Sequence, residues 1–244
     1  MPDLAIAIGN TRIRVAVFEQ GILISESAQV HEQLDILVQE LKLQKFNKIA
    51  IASVVPELIT PWHHLSQTQI VTRAMIPITG IYPTIGLDRL LTAWGAWLQY
   101  KSPVLVIDCG TAISLTGIDG DRKLIGGAIL AGLRMQLQSL NRATALPLVD
   151  LPEDLTKDLP KKISSRWATD TNAAIQSGLI YTVVAGLEDF IQDWRSLYPD
   201  TKIVFTGGDS KLILEFMDTK IGDRERSQIY LDPNLIFQGI ASIF

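Results

Sequence analysis

The stretch LAIAIGNTRIRVAVF, residues 4–18, holds two apolar runs that meet at Gly9-Asn10-Thr11. Small and branched apolar residues on both sides of the break read as two strands joined by a tight turn. Glycine and asparagine suit a turn through backbone freedom alone. The same small residues, with exposed N–H groups and the Thr11 hydroxyl, equally suit a phosphate. The strand reaches the turn through Ala7, so no acid stands there. Either reading leaves 4–9 and 13–18 as strands, with a third at 21–26 after Gln20-Gly21.

The opening pattern returns at VLVIDCGTAISLTGIDG, residues 104–120, as strand, Gly110-Thr111-Ala112 turn and strand. KLIGGAILAG, 123–132, supplies a third strand. Each half therefore begins strand, small turn, strand, strand, helix, which points to an internal duplication and to domains of 1–100 and 101–244. In the first half, Leu34, Leu37, Val38 and Leu41 predict a helix over 31–43. KIAIASVV, 48–55, reads as a buried strand parallel to a neighbour, because a helix precedes it. Pro56 permits a helix start near 57. A short strand follows at 69–73 and a Pro/Gly-rich loop at 74–85. Leu87, Leu90, Leu91, Trp94, Trp97 and Leu98 stripe a helix over 86–99, for a core or a subunit interface. In the second half, helices are expected at 133–141 and 171–195. The stripe of the longer one is Ile175, Leu179, Val183, Leu187, Phe190 and Trp194. KIVFTGGDS, 202–210, reads as strand, glycine turn and helix start. A long loop or short helices are expected at 146–166 and a solvated loop at 223–228, then a strand at 228–231 and a short helix after Pro233. The fold class is α/β.

With 244 residues, 47% apolar and 20% charged, the chain can bury a sizeable core. A net charge of -4 and no basic run argue against a nucleic-acid partner. Cys109 alone excludes an internal disulfide and suggests a reducing compartment. Three histidines, with that one cysteine, make a poor zinc set. The N-terminus MPDLAIAIGN has no cationic start, so neither a signal peptide nor a membrane span is expected, and the cytoplasm is the expected setting.

Asp108 closes an apolar strand, where a carboxylate must be paired, solvated or bound to a cation. It either caps a turn or holds a cation near phosphate. Asp88 and Arg89 open the 86–99 helix. Helix-start amides favour an ionised Asp88, which could simply serve the helix end or accept a proton during phosphoryl transfer. Arg89 could grip an acidic substrate, and Gly86 would allow close approach to the backbone. Thr206-Gly207-Gly208 suits a flat base or sugar. No lysine-bearing P-loop occurs.

Taken in order, Gly9-Asn10-Thr11, Gly86-Leu87-Asp88-Arg89, Asp108-Cys109-Gly110-Thr111-Ala112, Gly126-Gly127, Thr171 with AAIQSG, Thr206-Gly207-Gly208 and Asp232-Pro233 resemble the type III pantothenate kinases, across nearly the whole chain. That family lies in the superfamily of acetate and sugar kinases and actin-like ATPases. The resemblance implies two tandem ribonuclease H-like domains with a ligand cleft between them. It implies ATP-dependent phosphorylation of pantothenate to 4'-phosphopantothenate, the first step toward coenzyme A, by a homodimer. It assigns ATP phosphates to Ala7, Ile8, Gly9, Asn10, Thr11, Arg12, Ile13 and Arg14, joined by Gly110 and Thr111. Asp88 becomes the proton acceptor. Tyr82, Gly86, Leu87, Asp88 and Arg89 would contact pantothenate, with Thr171 reaching across the dimer. Asp108 would bind potassium or ammonium, Gly207 and Gly208 would lie near the nucleoside, and magnesium would accompany ATP. Two positions depart from the pattern: Ala7 replaces the usual aspartate, and Thr116 an acid common after the second turn. A nucleotide-binding regulator that has lost catalysis is the alternative that Ala7 raises.

Overall fold

The computed structural model describes residues 1–65, 67–143, 166–217 and 228–244. The long loop or short helices expected at 146–166 and the loop expected at 223–228 lie almost wholly outside the described residues. The described chain divides into two compact units. One holds Met1–Lys101, Gly120–Ile125 and Asn234–Phe244; the other holds Ser102–Asp119 and Gly126–Pro233.

The first unit is built on β1 (Asp3–Ile8), β2 (Arg12–Glu19), β3 (Ile22–Val30), β4 (Ile49–Ser53) and β5 (Thr68–Ile70), in the sheet order β3-β2-β1-β4-β5. β1 runs antiparallel to β2 and parallel to β4, so alternate residues share a face. One face carries Leu4, Ile6, Ile8, Ile13, Val15, Ile49 and Ile51. They form a core with Leu34, Leu37, Val38 and Leu41 of α1 (Leu34–Lys42). The other face is small: Ala5, Ala7, Ala16, Ala50 and Ala52 are all buried. Small side chains let α6 (Leu235–Ala241) pack on β1 and β4. α2 (Leu87–Tyr100) and α6 meet almost backbone to backbone, with Gly95 against the Leu235 carbonyl and Gly239 against the Leu91 carbonyl. Of the stripe expected on α2, Leu90, Leu91 and Trp94 are buried. Trp97 is half-buried, stacks on Trp94 at 5.3 Å and lies under the Lys101 ammonium.

Three local expectations change in this unit. The third strand extends to Val30. Its outer position in the sheet leaves Ile22 and Ile24 exposed. The helix expected near 57 is only two 3-10 turns, Pro56–Leu58 and Thr60–His64. Pro61 lacks the N–H that a continuing α-helix would need. Arg73–Met75 forms a further 3-10 turn at the head of the 74–85 loop.

The second unit repeats the plan. Its strands are β6 (Val104–Cys109), β7 (Ala112–Ile118), β8 (Leu124–Ala131, whose first two residues group with the first unit), β9 (Lys202–Thr206) and β10 (Ile229–Leu231), in the order β10-β9-β6-β7-β8. β6 pairs antiparallel with β7 and parallel with β9. The pattern is that of the first sheet, so the two units are tandem ribonuclease H-like domains. α3 (Leu133–Ala143), α4 (Thr171–Leu197) and α5 (Ser210–Met217) complete the unit. α4 has the length and hydropathy of a membrane span. Its Ile180, Val183, Val184, Leu187, Ile191 and Trp194 are nevertheless buried against the sheet and α5. Phe190, expected in that stripe, is 47% exposed, and Ile191 takes the inward position. The Trp194 ring closes over Gly117, and its Nε1 donates to Thr201 Oγ1 at 2.7 Å.

Candidate active site

Three corners carry the residues singled out in the sequence. The first is the β1–β2 turn. Ile8 and Ile13 pair across its base and are buried in the core, so any contact they make with a ligand is through the backbone. Gly9 N–H donates to the Arg12 carbonyl at 3.0 Å, while Asn10, Thr11 and Arg12 are exposed at the tip. His31, which the sequence left without a role, donates from Nε2 to the Gly9 carbonyl at 2.9 Å. That bond ties the turn to the end of β3.

Ala7 is buried and pairs across the sheet with Arg14. The Arg14 guanidinium is committed locally: Nη2 lies 2.6 Å from Glu26 Oε1 and 3.4 Å from Asn234 Oδ1, and its carbon stands 4.8 Å from the Phe237 ring centre. Where the family resemblance expects an acid, this sheet face holds a methyl group beside an ion pair.

The second corner is the start of α2. Gly86 is the N-cap, in extended conformation. Asp88 Oδ1 accepts from the Arg89 N–H at 2.8 Å and folds back over Gly86, where a β-carbon would collide with it. Only glycine therefore leaves room for this carboxylate position. Arg89 is buried, and its Nη1 donates to the Tyr82 hydroxyl at 3.1 Å. Tyr82, Gly86, Asp88 and Arg89 thus form one cluster, with a carboxylate and a guanidinium on adjacent residues of one helix start.

The third corner is the β6–β7 turn of the second unit. Gly110 N–H donates to the Ala112 carbonyl at 3.1 Å, and Gly132 N–H to the Thr111 carbonyl at 3.0 Å. Gly207 has φ of +91° and lies against Asp108 Oδ1 and the Cys109 carbonyl. A β-carbon there would be both strained and obstructed. Asp209 N–H donates to the Cys109 carbonyl at 2.9 Å, while Gly208 opens to free space. So Asp108, Gly110, Thr111, Gly132, Gly207 and Asp209 come together around one turn. By sheet position, Asp108 is the counterpart of Ala7: each stands one residue before the end of its unit's first strand.

Burial pushes the Cys109 thiol far above its usual range, with a Ser210 hydrogen bond opposing and Asp108 and Asp209 adding to the rise. That burial disfavours the thiolate, the form of cysteine that reacts. Burial also pushes up the Asp209 carboxyl, and Arg134 pulls it partly back. Thr116 is buried in β7. Thr171 opens α4, beside an Asp170 cap that accepts from the Ala173 N–H at 2.9 Å. It borders a groove of about 460 Å³ together with Gln136, Leu140, Ala174, Ile175 and Gly178. Among the described residues, no group of three or more His, Cys, Asp or Glu could hold a metal ion.

Two units of one strand order, each with a small-residue turn after its first strand, make this a protein of the tandem ribonuclease H-like fold class. Residues 3–193 match the model of the family described as type III pantothenate kinase, and the chain belongs to that family. A type III pantothenate kinase from Nostoc is 43% identical over 194 residues, covering 79% of this chain and 68% of the relative. One from Synechocystis is 38% identical over 250 residues, covering 99% of this chain and 90% of the relative. Among solved structures, a Campylobacter jejuni protein carrying the name of the Baf family of transcriptional activators aligns with a TM-score of 0.64 at 21% identity, covering 98% of this chain and 96% of that one. A ROK family protein from Streptococcus pneumoniae aligns with a TM-score of 0.55 at 13% identity, covering 99% and 96%. These two likenesses concern the fold.

Proposed function

We propose that this chain transfers the terminal phosphate of ATP to the primary hydroxyl of pantothenate, giving 4'-phosphopantothenate on the route to coenzyme A. The α2 start carries the reading: a half-buried Asp88 carboxylate stands beside a buried Arg89 braced by Tyr82.

In this reading, Arg89 and Tyr82 receive the pantothenate carboxylate, a bidentate partner for a guanidinium. Asp88 orients the substrate hydroxyl and takes its proton as the O–P bond forms. Backbone N–H groups of Asn10, Thr11 and Thr111, with the two threonine hydroxyls, receive phosphate oxygens and stabilise their developing charge, while the Gly9 and Gly110 N–H groups close the turns that present them. Gly207 and Gly208 lie toward the nucleoside, where Gly208 offers open backbone.

Ala7 supplies no metal ligand, and no carboxylate cluster stands in for it among the described residues. Magnesium would then be held by the ATP phosphates, water and Asp108. Asp108, a half-buried carboxylate beside the Cys109 carbonyl at the Gly207 turn, is the group that would hold the monovalent cation, as the family resemblance implies. Potassium or ammonium bound there would neutralise charge near the phosphates. Thr171 would contact pantothenate held by a second copy of the chain, as the family resemblance implies.

The test is release of ADP by the purified protein in magnesium and potassium, with and without pantothenate. Release that depends on pantothenate and falls when sodium replaces potassium is the expected result. ATP binding with no pantothenate-dependent release would instead favour the regulatory homologue.

A further inference from the structure

The segment that presents Tyr82 to α2 is fixed at both ends. At its start, Thr79 N–H donates to the Arg122 carbonyl at 2.9 Å, and the Thr79 carbonyl accepts from Leu124 N–H at 2.9 Å. This is a parallel bridge within the first unit, between Thr79 and Lys123. Gly80, with φ of +72°, turns the chain against the Leu124 carbonyl. At its end, Gly86 caps α2. Between these anchors the backbone helps itself little: among the described residues, Ile85 N–H to the Tyr82 carbonyl at 3.2 Å is the one backbone hydrogen bond within 81–85.

Arg73 reaches this gap from the preceding 3-10 turn. Its Nη1 donates to the Pro83 carbonyl and, at 3.2 Å, to the Ile85 carbonyl. Both acceptors are main-chain atoms, so the bonds fix the path of the loop rather than one rotamer. A charged donor makes such bonds stronger than neutral ones. Pro83 can itself donate nothing to a local turn. The two tied carbonyls flank Thr84 and lie just after Tyr82, whose hydroxyl accepts from the buried Arg89.

We infer that Arg73 is a positioning residue for pantothenate: it clamps the Pro83–Ile85 span so that Tyr82 and Arg89 are preset before substrate arrives. The inference rests on the function proposed above. In that reading Arg73 acts through the loop carbonyls that it holds, not on the reacting hydroxyl or the nucleotide. Its loss raises the cost of ordering the loop on binding, which appears in the pantothenate KM and leaves the ATP KM alone.

Two readouts on the full-length protein test it, with Arg73→Ala and Arg73→Lys. In Arg73→Ala without substrate, amide exchange at Tyr82, Thr84 and Ile85 should quicken by on the order of tenfold, with α1 and the second unit unchanged. The pantothenate KM should rise about tenfold, with kcat and the ATP KM within about twofold of wild type. Arg73→Lys, which keeps a charged donor, should recover most of both effects. An unchanged exchange pattern at 82–85, or equal rises in both KM values, would overturn the clamp. If the wild type transfers no phosphate to pantothenate, the proposed function fails, and the exchange data still decide whether Arg73 holds the loop.

Discussion

Asp209 carries a carboxyl that burial raises, with Arg134 offsetting part of the rise. A carboxylate raised on folding favours the native state most when protonated, and loses that contribution as pH climbs through the folded value. Asp209→Asn removes the penalty of the charged form. The variant should therefore be more stable than wild type at pH 7, with the gap closing as pH falls toward about 4, the ordinary aspartate range. Urea unfolding at pH 7, 5 and 4 reads this directly; a gap that widens toward acid would contradict it. Asp88 and Asp108 are legible in the sequence because an acid beside an apolar strand or at a helix start stands out. Asp209 and His31 are not, since what gives them their setting, the Cys109 and Gly9 carbonyls, is reached only through folding. Arg14 shows the converse: its place near the turn suggests phosphate, while the fold engages it with Glu26.

Among the elements, the α2–α6 crossing depends on missing side chains. A β-carbon at Gly239 would enter the Leu91 backbone, which cannot rotate away. Gly239→Ala should destabilise the protein by about 1–3 kcal/mol, the usual cost of overpacking. Gly186, in α4, is exposed and meets no atom within 4 Å of an added β-carbon. Gly186→Ala should stabilise by about 0.5–1 kcal/mol through helix propensity. Thermal melts of the two variants should therefore move in opposite directions; a shared direction would refute the packing account. The alternation around Gly9 and Gly110 made the paired strands readable, because period two survives in any sheet. Nothing local shows that α6, more than 130 residues further along the chain, packs against α2. The 57–64 segment misleads because Pro56 opens a helix that Pro61 then stops from continuing in α form. On α4, Ile191 and Phe190 compete for one inward position, and adjacent apolar residues leave periodicity undecided.

For the molecule as a whole, the repeat of one strand order in both units carries the fold. The duplication was visible because strand, small turn and strand recur near residues 4 and 104. The contact division is more interleaved than a cut near residue 100, since Gly120–Ile125 and Asn234–Phe244 group with the first unit. Long-range returns of this kind leave no periodic mark in sequence. The account's central claim is that Asp88 takes the proton from pantothenate as ATP gives up its phosphate. The most direct measurement is mass-resolved formation of phosphorylated pantothenate by wild type and by Asp88→Asn, alongside calorimetric binding of pantothenate to both. The account predicts turnover lower by about 10²–10⁴ in the variant, with binding retained. Asp88→Asn turning over at the wild-type rate would contradict it.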